Sequence, residues 1–402
     1  ARSVGYAVVK KPEGYTTAKV DQIIQEYEKK SANEQQSTAK QYPNIITVVN
    51  ETFADIKVLG DFKTNEDYMP YFHSLKKNCV TGYTYASIVG GQTANTEFEL
   101  LTGNTLGFLS AGTTAFQLYI HGQMPSLVSN LKAEGYSGNK AMHPFNPYNY
   151  NRPAVYKDFG FTDFIDKFDF PKNVKRVREY ISDEANVDRI ISEYEKNRKK
   201  TDQPFYMYNM TIQNHSPYDK DAANFKQPIK IESSKYDAEA NRYLNLIKYS
   251  DDSLKQLTSY FEKCKEPTII LFLGDHQPRL TDEFMNKITN GQYQTWSSEQ
   301  MMKRYQVPFV IWANYDIKEQ HIEKTSMNYI QSILTKTAGV KMTGYQRFLN
   351  EVRKEVPTIT SQGYWGKNGK FYQINDKGSP YYGIIQKYRM IQYNMMFDKK
   401  NR

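Results

Sequence analysis

Apolar residues along the chain gather into a few short, dense runs, separated by longer stretches with helical spacing. The first 42 residues are polar. "TAKVDQIIQEYEKK" has helix-like spacing and a Gln/Ser/Ala stretch follows it, which predicts a surface arm or helix packed on a main domain. "YPNIITVVNETF" is different: a β-branched apolar run that stops in polar residues. A buried strand of a parallel sheet reads this way, with its C-terminal end opening into a loop. Similar runs recur at 204–215 ("PFYMYNMTIQNH"), 267–277 ("PTIILFLGDHQ") and 307–314 ("VPFVIWAN"). Helical patterns such as "MPSLVSNLKAEGY", "NVDRIISEYEKNRKK" and "AEANRYLNLIKYSDDSLKQLTSYFEK" lie between them. Strands alternating with helices predict an α/β domain with a mostly parallel central sheet flanked by helices. Ligands of such sheets bind beyond the carboxyl ends of the strands.

The texture changes near residue 350. "GYWGKNGKFYQI" places an Asn-Gly turn between alternating aromatic residues, a hairpin signal, and "GIIQKYRMIQYNMMF" reads as an amphipathic helix. The expected organisation is an N-terminal helical arm over 1–42, a main domain over 43–349 and a small C-terminal α+β appendage over 350–402, with no internal repeat.

Composition narrows the function classes. The longest apolar runs are far below the roughly 20 residues a helix needs to cross a bilayer. The excess of 53 Lys and Arg over 44 Asp and Glu gives a net charge of +9. That balance suits a solvated surface, or anionic surroundings such as phospholipid head groups or wall polymers. No nucleic-acid signature is present: "EKNRKK" is the densest basic block, and no zinc-finger, RNP or helix-turn-helix pattern accompanies it. Cys79 and Cys264 are the only cysteines, too few for a disulfide scaffold or an all-cysteine zinc site. Abundant Tyr and scarce Cys fit a secreted bacterial protein.

Three of the four strand runs end in the same kind of chemistry: Asn50-Glu51, Asn214-His215 and Gly274-Asp275-His276. Side chains at the mouths of neighbouring parallel strands converge. Glu51, Asp275 and His276 together form a hard-to-borderline ligand set suited to Mn, Zn or Mg. Singly, each has a blander reading, a cap or a structural hydrogen bond. A second element is "GGQTANTEFELLTGNT" at 90–105, where two glycines allow close backbone approach and a helix then begins. Thr93 there is either an ordinary N-cap or a nucleophile activated by a metal. A third is "MHPFNPYNYNRPAVYKDFGF" at 142–161, where His143 and Arg152 flank a Pro/Asn/Tyr loop. Arg offers a planar fork for phosphate oxygens, although a loop Arg is more often simply solvated.

The ordered set of Glu51 at a strand end, Gly-Gly-x-Thr before a helix, "HxxxxxxYNR" as a mid-chain pattern, "NHSPY" and "GDH" resembles the lipoteichoic acid synthase family of phosphoglycerol transferases. That family belongs to the alkaline phosphatase and sulfatase superfamily, and the resemblance spans roughly 43–350. It implies an alkaline phosphatase/sulfatase-like fold. It implies that Glu51, Thr93, Asp275 and His276 bind the metal, with Thr93 also the nucleophile. His215 matches a substrate-phosphate histidine, Arg152 an arginine that holds glycerol phosphate, and His143 a further active-site histidine. The implied metal is Mn2+, with Mg2+ or Zn2+ also compatible. The implied donor is phosphatidylglycerol or a similar anionic phospholipid, and the acceptor a glycerol phosphate polymer or a polysaccharide. The implied setting is the outer face of the membrane, with anchoring helices upstream of this domain.

Two departures bear on substrate. Tyr150-Asn151-Arg152 stands where the family commonly has Trp-Asn-Arg, and Arg279 follows Asp275-His276-Gln277-Pro278 and adds positive charge. Both leave room for an enzyme that decorates a wall polysaccharide instead of polymerising lipoteichoic acid. A Thr-dependent phosphodiesterase or other hydrolase of the superfamily shares the same ligand set. A formylglycine sulfatase would need Cys or Ser in a C/S-x-P-x-R context, which "TANTE" lacks. A phosphoethanolamine transferase would be expected to carry more cysteines. A silent wall-binding module would have no use for the full ligand set.

Overall fold

The computed structural model describes residues 9–34 and 41–398. The Gln/Ser/Ala stretch of the expected arm lies outside them. Its helix is present as Thr17–Glu34 and packs on the helix Gly344–Glu355.

An eight-stranded sheet forms the centre. Its strands in chain order are β1 (Asn44–Asn50), β2 (Cys79–Tyr85), β3 (Ser137–Met142) and β4 (Asp163–Ile165), then β7 (Phe205–Met210), β8 (Thr268–Gly274), β9 (Gln306–Ala313) and β10 (Gln320–Ser326). Between β4 and β7 lies a two-residue hairpin, β5 (Arg176–Val177) with β6 (Tyr180–Ile181). The spatial order is β10-β2-β9-β8-β1-β7-β3-β4. Every neighbouring pair is parallel except those made by β9, which runs antiparallel to both β2 and β8. The run "VPFVIWAN" was expected to be parallel like the others, and its reversal is the one departure from a parallel sheet.

β1, β7 and β8 are buried along their whole length, as strands covered on both faces must be, and their sequences are accordingly near-continuous apolar runs. Helices Asp183–Lys200 and Ala238–Glu262 pack together against this part of the sheet. Helices Thr93–Thr102, Met327–Ala338 and Gly344–Glu355 form a second group.

The C-terminal segment contains the expected hairpin, β12 (Gly363–Trp365) with β13 (Phe371–Tyr372), and β11 (Thr358–Thr360) extends it to three antiparallel strands. Helix Tyr382–Phe397 follows, and its Ile385, Tyr388 and Ile391 enter the main buried cluster. Gln392 brackets Thr105, accepting from its N–H at 2.8 Å and donating to its carbonyl at 2.9 Å. The loop after the Thr93 helix is thereby fastened to the C-terminal helix. Both cysteines are free, and no helix among the described residues is long and apolar enough to cross a membrane.

Candidate metal centre and substrate loops

The strand ends converge as the sequence predicts. β1 lies between β7 and β8, in register Asn50 opposite Gly274. A Cβ on Gly274 would stand 1.8 Å from the carbonyl oxygen of Phe53, so only glycine lets the chain leaving β1 cross the end of β8. This crossing brings the Thr52 N–H to 2.7 Å from Asp275 Oδ1, which also accepts from the His276 N–H at 2.8 Å. The Glu51 N–H donates to Thr211 Oγ1 at 2.8 Å, and Thr52 Oγ1 donates to Glu51 Oε1 at 3.0 Å. Both carboxylates are therefore held by neighbours before any ligand arrives.

Glu51, Asp275 and His276 are buried, and one donor atom from each lies within 4.8 Å of the others. His276 Nδ1 lies 2.8 Å from the Gln277 carbonyl. That contact turns Nε2 toward the two carboxylates, 3.2 Å from Asp275 Oδ2 and 3.6 Å from Glu51 Oε1. Thr93 completes the cluster. Its Oγ1 donates to Asp275 Oδ2 at 2.9 Å and lies 3.4 Å from His276 Nε2 and 3.5 Å from Glu51 Oε2.

The N-cap alternative for Thr93 does not hold. Gln92 occupies the cap position in the left-handed region with φ 58°, and Thr93 is the first helical residue. Its hydroxyl points at the acidic cluster and not back at the helix amides. The Gly90 N–H donates to the Gln277 carbonyl at 2.9 Å, which ties the Thr93 loop to the loop carrying His276. Arg279, exposed, lies beside Gly90.

Two buried carboxylates and an imidazole shift one another here. Burial and the charge of Glu51 push the Asp275 carboxyl well above the usual range. Burial would raise Glu51 as well, but the hydrogen bond and charge of His276 hold it low. Burial opposes a charged His276, yet Asp275 and Glu51 outweigh it and raise the imidazole to about 9. Two carboxylates, an imidazole Nε2 and a hydroxyl, all buried and pre-oriented, are oxygen and nitrogen donors that fit a divalent cation such as Mn2+, Mg2+ or Zn2+.

The remaining predicted residues lie on the connections around this cluster, Arg152 as the first residue of the helix Arg152–Phe159. His143 is buried, and its Nδ1 is 2.8 Å from the Met210 carbonyl. Burial, with Arg152 nearby, lowers its pKa to about 3, so it is a neutral imidazole. Arg152 is 2% exposed and meets a residue not anticipated from the sequence. Its Nε and Nη2 both donate to Glu97 Oε2, at 3.1 and 2.9 Å, while Nη1 makes no hydrogen bond among the described residues. Glu97 Oε1 accepts from Tyr156 and Tyr208. Glu97 lies one helical turn beyond Thr93, so the spacing of 93 and 97 was the available signal. The Tyr150 ring faces the Arg152 guanidinium at 5.2 Å, and Asn151 is exposed.

His215 is exposed but close enough to influence Glu51 and His143 through charge. Its ring lies 6.4 Å from Phe145, nearly parallel, and 5.8 Å from Tyr180. Arg178 also escaped the sequence reading. Its guanidinium donates at 2.8 Å to the carbonyls of Gln213, His215 and Pro217, clamping the His215 loop. Behind this loop Asn214 donates to Asn50 Oδ1 at 3.1 Å, and Asn50 donates to the buried Asp183 at 3.0 Å, which joins the two strand-end asparagines. Strain is concentrated here. Of eight non-glycine residues with positive φ among those described, Thr52, Gln92, Tyr150, Asn151 and Arg178 flank this site.

A Rhizobium meliloti protein described as a putative cyclic beta-1,2-glucan modification protein is 31% identical over 372 residues, covering 90% of this chain and 56% of that protein. The lipoteichoic acid synthase-like YvgJ of Bacillus subtilis is 27% identical, over 58% of this chain and 36% of its own length. The chain thus spans about half or less of these curated relatives. Among solved structures, the Streptococcus pyogenes phosphoglycerol transferase GacH, in complex with sn-glycerol-1-phosphate, superposes with a TM-score of 0.77 at 20% identity, covering 97% of this chain and 96% of that one. The lipoteichoic acid synthase LtaP of Listeria monocytogenes gives 0.65 at 19% identity, covering 91% and 97%. The sulfatase family description matches residues 43–340, which include every residue of the centre just described, and the chain belongs to that family, with its alkaline phosphatase-type fold.

Proposed function

We propose that this domain is a metal-dependent phosphoglycerol transferase, moving glycerol phosphate from an anionic phospholipid such as phosphatidylglycerol to a cell-envelope glycan. The observation that carries the reading is Thr93 Oγ1 seated among Glu51, Asp275 and His276, with its proton directed at Asp275. Glu51, Asp275, His276 and Thr93 would hold a divalent cation, Mn2+ in the first instance, which when bound would lower the pKa of the Thr93 hydroxyl and offset charge on the phosphate. The Thr93 hydroxyl passes its proton to Asp275, and its oxygen forms a bond to phosphorus as the bond to the diacylglycerol oxygen breaks, leaving a glycerophosphoryl ester on Thr93. His215, exposed at the mouth, gives the leaving oxygen its proton. His143 is a neutral acceptor, suited to orienting a substrate hydroxyl and not to donating. Arg152, steadied by Glu97, supplies positive charge for the phosphate oxygens. An acceptor hydroxyl then attacks the same phosphorus, His215 takes its proton, and the bond to Thr93 breaks, the threonine oxygen taking its proton back from Asp275.

A glycan acceptor is favoured over a growing glycerol phosphate chain by the Rhizobium meliloti relative, whose name refers to glucan modification, and by another named for capsular polysaccharide biosynthesis. Tyr150 and Arg279 are the residues through which such a difference would act. The placement of this reaction at the outer face of the membrane follows from the same reading.

Intact-protein mass spectrometry after incubation with Mn2+ and phosphatidylglycerol tests this directly. A glycerophosphoryl adduct on wild type and none on Thr93→Ala supports the transfer, the donor and the nucleophile together. Release of free glycerol phosphate from wild type at the full rate, with or without a glycan present, would make the protein a hydrolase instead.

A further inference from the structure

One buried carboxylate near the metal centre takes no part in the proposed reaction. Asp183 opens the helix Asp183–Lys200, and Ser182 before it caps that helix, its Oγ accepting from the Ala185 N–H at 3.1 Å. An acidic residue in a first helical turn is ordinary, since the helix dipole favours it there. The side chain of Asp183, however, turns inward and is 1% exposed. Its Oδ2 accepts from Asn50 Nδ2 at 3.0 Å and from Ser250 Oγ at 2.6 Å. Asn214 Nδ2 donates to Asn50 Oδ1 at 3.1 Å and to Ser250 Oγ at 2.7 Å. These four side chains close a ring of hydrogen bonds, every member of it buried. Gln213 is tied in from the side: its Oε1 accepts from the Asp183 N–H at 2.9 Å, and its Nε2 donates to Asn214 Oδ1 at 2.9 Å.

A carboxylate only accepts, so Asp183 decides which way the ring runs. It turns the NH2 group of Asn50 inward and the Asn50 carbonyl toward Asn214. The NH2 group of Asn214 must then face Asn50 and Ser250. Asn50 is the residue before Glu51, and Asn214 the residue before His215. The ring therefore anchors the end of β1, where the first metal ligand leaves the sheet, to the loop that follows β7 and to the helix Ala238–Glu262.

Holding such a ring with an anion is costly. No cation pairs with Asp183 among the described residues, and its Oδ1 is buried without a donor. Burial pushes the carboxyl up to about 6 against the hydrogen bonds of Ser250 and Asn50, and the charge of Glu51 adds to the rise. An asparagine would fill the same space without charge. The Glu51 whose charge reaches Asp183 belongs to the ligand set fitted to a divalent cation. A negative charge here is unfavourable beside Glu51 alone and favourable beside such a cation.

We propose that Asp183 is a positioning residue of the metal centre: through the ring with Asn50, Asn214 and Ser250 it fixes the strand end that carries Glu51, and its charge strengthens binding of the divalent cation. This role rests on the metal-dependent reading above and adds to it a residue outside the ligand set.

The test is Mn2+ affinity, by calorimetric titration of the EDTA-treated full chain, beside urea unfolding of the same metal-free samples. Asp183→Asn keeps the shape and removes the charge. Ser250→Ala opens the ring but leaves the carboxylate, and it stands in for Asp183→Asn if that chain does not fold. Asn186→Ala is the control: Asn186 is buried on the same helix and exchanges hydrogen bonds of 2.7 and 2.8 Å with Asn209, outside the ring. Residues that support metal ligands from behind typically matter by 10–100-fold, so Asp183→Asn is expected to weaken Mn2+ binding roughly tenfold or more, and Ser250→Ala by less. The urea midpoint of Asp183→Asn should stay at or above that of wild type. Asn186→Ala should lower the midpoint and leave Mn2+ affinity unchanged. Affinity unchanged in both ring variants, or a loss that Asn186→Ala shares in full, would overturn the proposal and leave the metal reading standing. A wild-type chain that takes up no Mn2+ would overturn both.

Discussion

The two halves of the candidate site are built in different ways. Glu51, Asp275 and His276 sit at the ends of central strands, and Thr93 starts a helix of which every residue is buried. Their positions follow from the sheet register and the Gly274 crossing. His143 and His215 stand on loops, Tyr150 and Asn151 on a tight turn, and Arg152 at the start of the helix Arg152–Phe159, held by strained backbone, by the Glu97 pair and by the Arg178 clamp. The half that needs fixed distances is on the scaffold. The half to which the proposed reaction assigns discrimination among donors and acceptors is on loops and a helix start, which can vary without disturbing the sheet.

The largest effect should come from the scaffold half. Thr93→Ala is expected to lower transfer on the order of 10^4-fold or more while the urea midpoint stays near wild type. Measurable turnover close to wild type would place the nucleophile elsewhere. Next is Glu97→Gln, which leaves the guanidinium of Arg152 buried without its carboxylate. We expect a loss of about 3–5 kcal/mol by urea unfolding, because removing one partner of a buried pair strands the other. A loss under about 1 kcal/mol would mean that the loop half does not depend on this pair.

Metal linkage comes third. Mn2+ at a hundred times its dissociation constant should stabilise wild type by about 2.7 kcal/mol and His276→Ala by much less, read as a shift in melting temperature. Equal shifts in both would remove His276 from the ligand set. Arg178→Gln should then separate the halves cleanly: kcat lower by roughly 10–100-fold, from misplacing His215, with Mn2+ affinity unchanged. Arg178→Lys should recover only part of the loss, since an ammonium cannot reproduce a fork that meets three carbonyls. A fall in metal affinity would show the two halves to be coupled.

The smallest effect concerns the chain just beyond β1. His73 bonds Asp55 at 3.0 Å and Asp67 at 2.7 Å. The hydrogen bond to Asp55 raises its pKa to about 9 against the opposing effect of burial, and Asp67 adds to the rise. Stability from a raised histidine is complete below the unfolded value near 6.5 and is lost as pH climbs through about 9. The side chain is 41% exposed, so the amount is about 1 kcal/mol or less. Melting curves of wild type and His73→Gln should converge between those pH values, and parallel curves would refute the assignment.

What the sequence made legible follows the same division. The fully buried strands β1, β7 and β8 announce themselves as continuous apolar runs, and the ligands at their ends come with them. β10 ("QHIEKTS") does not, because as an edge strand it is mostly exposed and polar. β3 ("SGNKAM") breaks register at Asn139 and carries little apolar signal. β9 reads as a parallel strand because burial on both faces, not direction, sets its composition. Glu97 and Arg178 were missed for another reason. Each acts on a partner remote in sequence, Glu97 on Arg152 and Arg178 on the carbonyls of 213–217; the 93/97 spacing set Glu97 on the face of Thr93 but did not encode its pairing with Arg152. The Asn-Gly turn of the C-terminal hairpin was readable because turn chemistry is local.

The Gly274 crossing has one more consequence. The gap between Glu51 and Asp275 is set where one main chain passes over another, with no room for a side chain between them. Ligand identity and ligand spacing are therefore separate variables in this architecture. Exchanging a carboxylate, an amide or an imidazole at 51, 275 or 276 would retune which ion is preferred and how acidic the threonine becomes, while the span across the ion stays as the backbone dictates. A lineage built on this crossing can change its chemistry one side chain at a time without relocating its centre.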